Sequence, residues 1–199
     1  ALISVTPEIN NCPGNPQNFM IIVKPSPIVN QPGNQALCDR SLTSPITFTA
    51  TITGSSFTWT NSNPSIGLEA SGNGNIASFI ALNNSDTAII ALINVTASSN
   101  GCTGPVNSAI ITVNPTPSIV AGNSSIVCLG RAVQLSATGG DQYSWTPADR
   151  LSCVTCANPV ATPIDTIKYI VKGTSAAGCF AYDSVLLNVI KPSRMAIAP

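Results

Sequence analysis

The stretch from Ala1 to Pro27 is written a second time, ninety residues later and without a gap. ALISVT at Ala1 matches ALINVT at Ala91. Asn10, Cys12 and Gly14 match Asn100, Cys102 and Gly104, and Ile21, Val23, Pro25 and Pro27 match Ile111, Val113, Pro115 and Pro117. Two β-rich stretches of merely similar composition would rarely keep the cysteine, the glycine and both prolines in step. Residues 1–26 therefore read as the C-terminal strands of one repeat and residues 27–116 as a complete later copy. Residues 117–191 read as a second type of sandwich, and 192–199 as the start of a following repeat. On this reading the chain begins inside a repeat of a longer protein.

The joints are marked by proline. Pro25-Ser26-Pro27 and Pro115-Thr116-Pro117 each follow a strand-like run, and Lys191-Pro192 follows VLLNVI. Proline has a fixed φ and no N–H, so it ends ladder pairing and stiffens the connection. Between the joints the pattern is strand throughout. ITFTATITG, SFTWT, NIASFIAL and SAIITV alternate apolar and small polar residues or carry β-branched runs, as do RAVQLSATG, QYSWT, TIKYIVKGT and DSVLLNVI. Val133, Leu135 and Ala137 fall on one face, as do Val185, Leu187 and Val189. No segment has a helical period. The expectation is an all-β chain of tandem Ig-like antiparallel β-sandwich domains joined by short Pro-rich linkers. Trp59 in FTWT and Trp145 in YSWT hold the same place in their domains. Their mid-strand setting points to core aromatics, against the alternative of an exposed platform for sugar.

Seven cysteines occur with no histidine, so zinc sets that need histidine are excluded. A four-cysteine zinc site needs two close pairs, and only Cys153 and Cys156 form one, which leaves disulfides. Cys38 and Cys128 precede a strand, and Cys102 and Cys179 each follow a glycine in the turn before a last strand. That equivalence leads us to expect Cys38–Cys102 and Cys128–Cys179 bonds, with Cys153–Cys156 as a local clip. Cys12 is then unpaired in this segment, its partner lying upstream, the alternative being a free buried thiol.

Signals of chemistry are absent. Without histidine there is no ordinary triad base, and the eight acidic residues are scattered. No Asp-x-Asp-x-Asp calcium loop occurs, no carboxylate pair stands beside a linker, and ATGGDQ lacks the lysine of a phosphate loop. We expect no catalytic residue, no metal site, no cofactor and no enzymatic activity. Charged residues are 8% of the chain and the formal net charge is zero, which argues against nucleic acid as a partner. The longest apolar run, Ala88–Val95, has the length of a strand, so no direct membrane insertion is expected. Asn83, Asn94 and Asn123 head Asn-x-Ser/Thr sequons, which matter only in a glycosylating secretory pathway.

The segment YSWTPADRLSCVTCANPVATPIDTIKYIVKGTSAAGCFAYDSV resembles the PKD-like and Ig-like repeats of very large cell-surface proteins of Bacteroidetes. These include gliding-motility adhesin-like proteins exported by the type IX system. FTWTNSNPSIGL, ASGNGNIASF and NGCTGPVNSAIITVNPTP resemble the companion repeat type. The Trp-x-Phe-Gly-Asp-Gly signature of true PKD domains is missing. The resemblance implies an extracellular, cell-surface location and a structural role in a stalk or filament. Its partners would be neighbouring repeats of the same chain, other copies in a filament, or surface glycans. It also implies candidate O-glycosylation at Thr87, Thr166 and Ser184, each preceded by aspartate and followed by an apolar residue. The alternative for those three is a chance run at a strand edge. The alternative for the whole is a carbohydrate- or protein-binding module of a secreted multidomain protein.

Overall fold

The computed structural model describes residues 1–192, so the expected repeat start at 192–199 lies, beyond its first residue, outside the described residues. The first 26 residues form a two-level hairpin. β1 (Leu2–Val5) pairs with β4 (Gln17–Met20), and at its tip β2 (Glu8–Ile9) pairs with β3 (Cys12–Pro13).

Six strands follow in the next unit: β5 (Gln35–Cys38), β6 (Ser56–Asn61), β7 (Ser71–Asn73), β8 (Ile89–Ser99), β9 (Cys102–Thr103) and β10 (Asn107–Asn114). They form one sheet in the order β5-β10-β8-β6-β7, with β9 folded back on β8. The facing layer is irregular, held by single bridges Val29–Ala50, Leu42–Ile80 and Ile46–Ile76. Alternation decides what goes inside. From β8 come Ala91, Ile93, Val95 and Ala97, and from β10 Ala109, Ile111 and Val113, all fully buried. They close on Val29, Ile46, Phe48, Trp59, Ile66 and Ile76.

The second sandwich comprises β11 (Ser125–Cys128), β12 (Val133–Gln134), β13 (Gln142–Thr146), β14 (Val160–Ala161), β15 (Ile167–Thr174) and β16 (Phe180–Ile190). One sheet runs β11-β16-β15-β13 and the facing pair is β12-β14. Tyr169, Val171, Val185 and Leu187 fill the core with Leu135, Ala137 and Trp145. The Tyr169 hydroxyl donates to the Asp149 carbonyl at 2.8 Å, which satisfies the polar tip of a buried ring.

The architecture is all-β with two Ig-like sandwiches, and it adds one element to the antiparallel plan. In each domain the first sheet strand pairs parallel with the last: β5 with β10, register Cys38–Asn114, and β11 with β16, register Cys128–Ile190. These strands carry Cys38 and Cys128 to the end of the domain where the chain leaves it. Among the described residues no helix is long and apolar enough to cross a membrane.

Candidate functional site, the joint between the sandwiches

β10 ends at Asn114, and Pro115-Thr116-Pro117 carries the chain to the second sandwich. Beyond it Ile119 packs so closely on Gly173 that a Cβ there would lie 2.2 Å from Ile119 Cδ1. The Ala121 N–H donates to Asp183 Oδ2 at 2.8 Å. That hydrogen bond, with a second from the Ser184 N–H, holds the Asp183 carboxyl below its usual range. Nothing in the sequence marks this role for Asp183.

A covalent bond crosses the joint. Cys38, at the downstream end of the first sandwich, is bonded to Cys179, in the turn between β15 and β16 at the upstream end of the second; their Cα atoms are 5.5 Å apart. This corrects the pairings expected from sequence, Cys38–Cys102 and Cys128–Cys179. Cys102 lies in the β8–β10 turn, at the opposite end of its domain from Cys38. The eight residues of β10 separate them, roughly 27 Å at 3.4 Å per residue. The eleven residues of β16 separate Cys179 from Cys128 in the same way, by about 37 Å. A disulfide tolerates Cα separations of no more than about 7 Å, so neither intradomain bond can form. Among the described residues Cys12, Cys102 and Cys128 are free. Cys153 is bonded to Cys156, and this clip roofs Trp145, whose Nε1–H donates to the Cys156 carbonyl at 3.0 Å.

Beside the disulfide an open groove of about 750 Å³ runs along the linker between the 84–88 loop and the 175–177 turn. Its lining is small and mostly exposed, and its titratable members are Asp86 and Asp141. The linear sequence places no carboxylate pair beside a linker; folding brings these two to it. The Asp141 carboxylate already accepts the Ala176 N–H at 2.6 Å. Among the described residues no group of three or more His, Cys, Asp or Glu is placed to hold a metal.

The remaining candidates lie elsewhere. Trp59 and Trp145 are buried, 8% and 3% exposed, with Gly72 seated on the Trp59 ring. Thr87 is exposed in a loop tied by Asn83, whose amide donates to the carbonyls of Thr87 and Val113 at 2.8 and 2.7 Å. Asn83 itself is buried, so that sequon is closed to a glycan. Thr166 is exposed, although its Oγ1 accepts the Val189 N–H at 3.1 Å. Ser184 is half-buried in the middle of β16.

Residues 35–117 match the family described as PKD-like domain. Among curated protein sequences none matches this chain. Three solved tandem-Ig structures are similar in outline. DIP-gamma Ig1+Ig2 is 12% identical with a TM-score of 0.44, covering 83% of this chain and 98% of that one. The insect immune protein hemolin is 15% identical with a TM-score of 0.43, covering 95% and 56%. The Ig1-2 module of the Drosophila receptor protein tyrosine phosphatase DLAR is 15% identical with a TM-score of 0.31, covering 83% and 99%. These are likenesses of outline only, and the fold rests on the strand order above. The first complete sandwich thus matches the PKD-like domain family over residues 35–117, and it stands in tandem with a second Ig-like sandwich to which Cys38–Cys179 ties it.

Proposed function

We propose that this chain is a non-catalytic, load-bearing stretch of a long extracellular stalk or filament. The observation that carries the reading is the Cys38–Cys179 bond, which locks two sandwiches end to end across a proline-stiffened linker. A hinge meant to close on a ligand would gain nothing from a covalent tie across it. Disulfides fit an oxidising compartment outside the cytosol, and PKD-like and Ig-like domains are typically non-catalytic. The resemblance to surface repeats of Bacteroidetes supports the finer reading, a gliding-motility adhesin-like protein exported by the type IX system. Its partners would then be flanking repeats, with other copies or surface glycans beyond them. Small-angle scattering on a multi-repeat segment tests this. We expect a maximum dimension that grows in proportion to repeat number; a compact particle would overturn the reading.

Exposed Thr87 and Thr166 hold matching places, each just ahead of the penultimate long strand of its sandwich. We offer them, with Ser184, as O-glycan sites that would cover a surface poor in charge. Intact mass from the native host should exceed the sequence mass, most of the excess mapping to the two threonines. A mass equal to the sequence would remove the idea.

A further inference from the structure

The free cysteines occupy the same two structural positions as the bonded pair. Cys128 matches Cys38. Each ends a first sheet strand paired parallel with the last one, opposite Ile190 and Asn114 respectively. The turns after them share their hydrogen bonds: Asp39 N–H to Asn114 O and Leu129 N–H to Ile190 O, then Ser41 N–H to Cys38 O and Arg131 N–H to Cys128 O. Arg40 and Gly130 are both left-handed, at φ 61° and 70°. Cys102 matches Cys179. Each sits at the upstream end of its sandwich and follows a left-handed glycine, Gly101 at φ 80° and Gly178 at φ 83°. The Cys102 turn faces the incoming linker, where Lys24 Nζ donates to the Asn100 carbonyl at 3.2 Å. Cys12 holds the Cys102 position in the first hairpin, in the same register: Ile9 opposes Cys12 as Ser99 opposes Cys102.

We propose that these cysteines are sites of a continuing disulfide ladder, in which the downstream-end cysteine of each repeat bonds to the turn cysteine of the next. Cys38–Cys179 is one rung. Cys128 takes the turn cysteine of a following Ig-like repeat, and Cys102 and Cys12 take downstream-end cysteines of the repeats before theirs. The pattern accounts for every cysteine outside the local Cys153–Cys156 clip. It explains why three thiols are left over, and why they cannot satisfy one another: Cys102 and Cys128 face opposite ends of different sandwiches. Cys12 and Cys128 are exposed and Cys102 half-exposed, so all three are open to exchange.

Each rung oxidises two thiols and needs a disulfide-carrying oxidoreductase as acceptor. One cysteine thiolate attacks the donor disulfide, and the second displaces the donor from the mixed disulfide. The donor leaves as a dithiol with the two electrons and two protons. Successive rungs overlap, because Cys128 lies inside the 141-residue span closed by Cys38–Cys179. Tension along the chain therefore passes through the rung and bypasses that span, which unfolded would reach roughly 480 Å.

The ladder rests on the stalk reading only in needing flanking repeats, and the two can fail separately. The test is non-reducing peptide mapping of the full-length exported protein after thiol blocking. The Cys102 and Cys128 peptides should each be joined to a cysteine peptide of an adjacent repeat, with less than about a tenth of either thiol alkylated. Cys128→Ser, at an exposed position, should free one turn cysteine of the following repeat to alkylation. Cys38→Ser should free Cys179. Full alkylation of Cys102 and Cys128, or a bond from either within its own repeat, would overturn the ladder. Alkylated thiols on a rod-shaped particle would leave the stalk standing; complete rungs in a compact particle would leave the ladder and sink the stalk.

Discussion

Residues 1–26 and 91–116 share a hairpin and differ in what lies against it. Leu2 opposes Met20 as Leu92 opposes Ile110, and Val5 opposes Gln17 as Val95 opposes Asn107. Both tips turn on two left-handed residues, Asn10 and Asn11 at φ 48° and 59°, Asn100 and Gly101 at 52° and 80°. Yet Ile21 is 45% exposed and Val23 88%, whereas Ile111 and Val113 are at 0%. Strand register is thus set within the hairpin, and burial is set by the partner layer. In the later copy that layer is Val29, Ile46, Phe48 and Ile76. Among the described residues no such layer lies against the first hairpin, and a lone two-stranded hairpin is marginally stable in water.

The largest test of this comparison supplies the missing layer. Placing a copy of residues 27–90 directly ahead of Ala1 should let the first hairpin close a sandwich of its own. Amide exchange at Ile21 and Val23 should then slow at least about a thousandfold, the equivalent of ~4 kcal/mol of local stability. Unchanged exchange would mean that the two hairpins are not equivalent.

Truncating the same side chain in both copies should separate packing from pattern. Ile111→Ala removes a fully buried side chain and should cost the first complete sandwich about 3 kcal/mol in denaturant unfolding. Ile21→Ala should stay within about 0.5 kcal/mol in the same chain. Equal losses would show that the first hairpin is already part of a core.

The matched glycines offer a smaller contrast. A Cβ at Gly104 would lie 1.6 Å from the Pro27 carbonyl oxygen, so the turn touches the incoming linker through bare backbone. At Gly14 the nearest atom is Pro7 Cγ, at 2.9 Å. Gly104→Ala should therefore displace the linker and cost about 2 kcal/mol, measured by thermal unfolding. Gly14→Ala should move hairpin exchange by less than about threefold. The opposite order would deny the linker contact its role.

The smallest effect belongs to the tips. Open space surrounds the Cβ position of Gly101, so Gly101→Ala should cost only its left-handed backbone strain, about 1 kcal/mol. Asn11→Gly relieves a milder strain and should gain a few tenths of a kcal/mol in hairpin population, read from chemical shifts. A gain as large as the Gly101→Ala loss would mean that the first tip is strained beyond its backbone.

ITFTATITG and NIASFIAL, expected as strands, form only single bridges, but the amino-acid sequence by itself determined the repeat, the Pro115-Thr116-Pro117 joint, and the long strands with their inward faces. Each of these is local: a period of two, a missing N–H, a match at fixed offset. Val185 and Leu187 or Trp59 and Trp145 could be placed inside from spacing alone, because alternation leaves a strand residue only two sides. The cysteine partners could not be placed that way. Four cysteines in equivalent sequence positions suggest bonds within each domain, and that suggestion fails on one non-local fact. The parallel pairing of β5 with β10, and of β11 with β16, carries Cys38 and Cys128 to the far end of their sandwiches. Which end of a domain a cysteine occupies depends on contacts between strands some seventy residues apart, and no local pattern records it. The same holds for Asp183 on the Ala121 N–H and for Asp86 and Asp141 on the linker groove. Tertiary structure alone decided these, because a joint between two domains is made of residues that each domain brings from a different part of its chain.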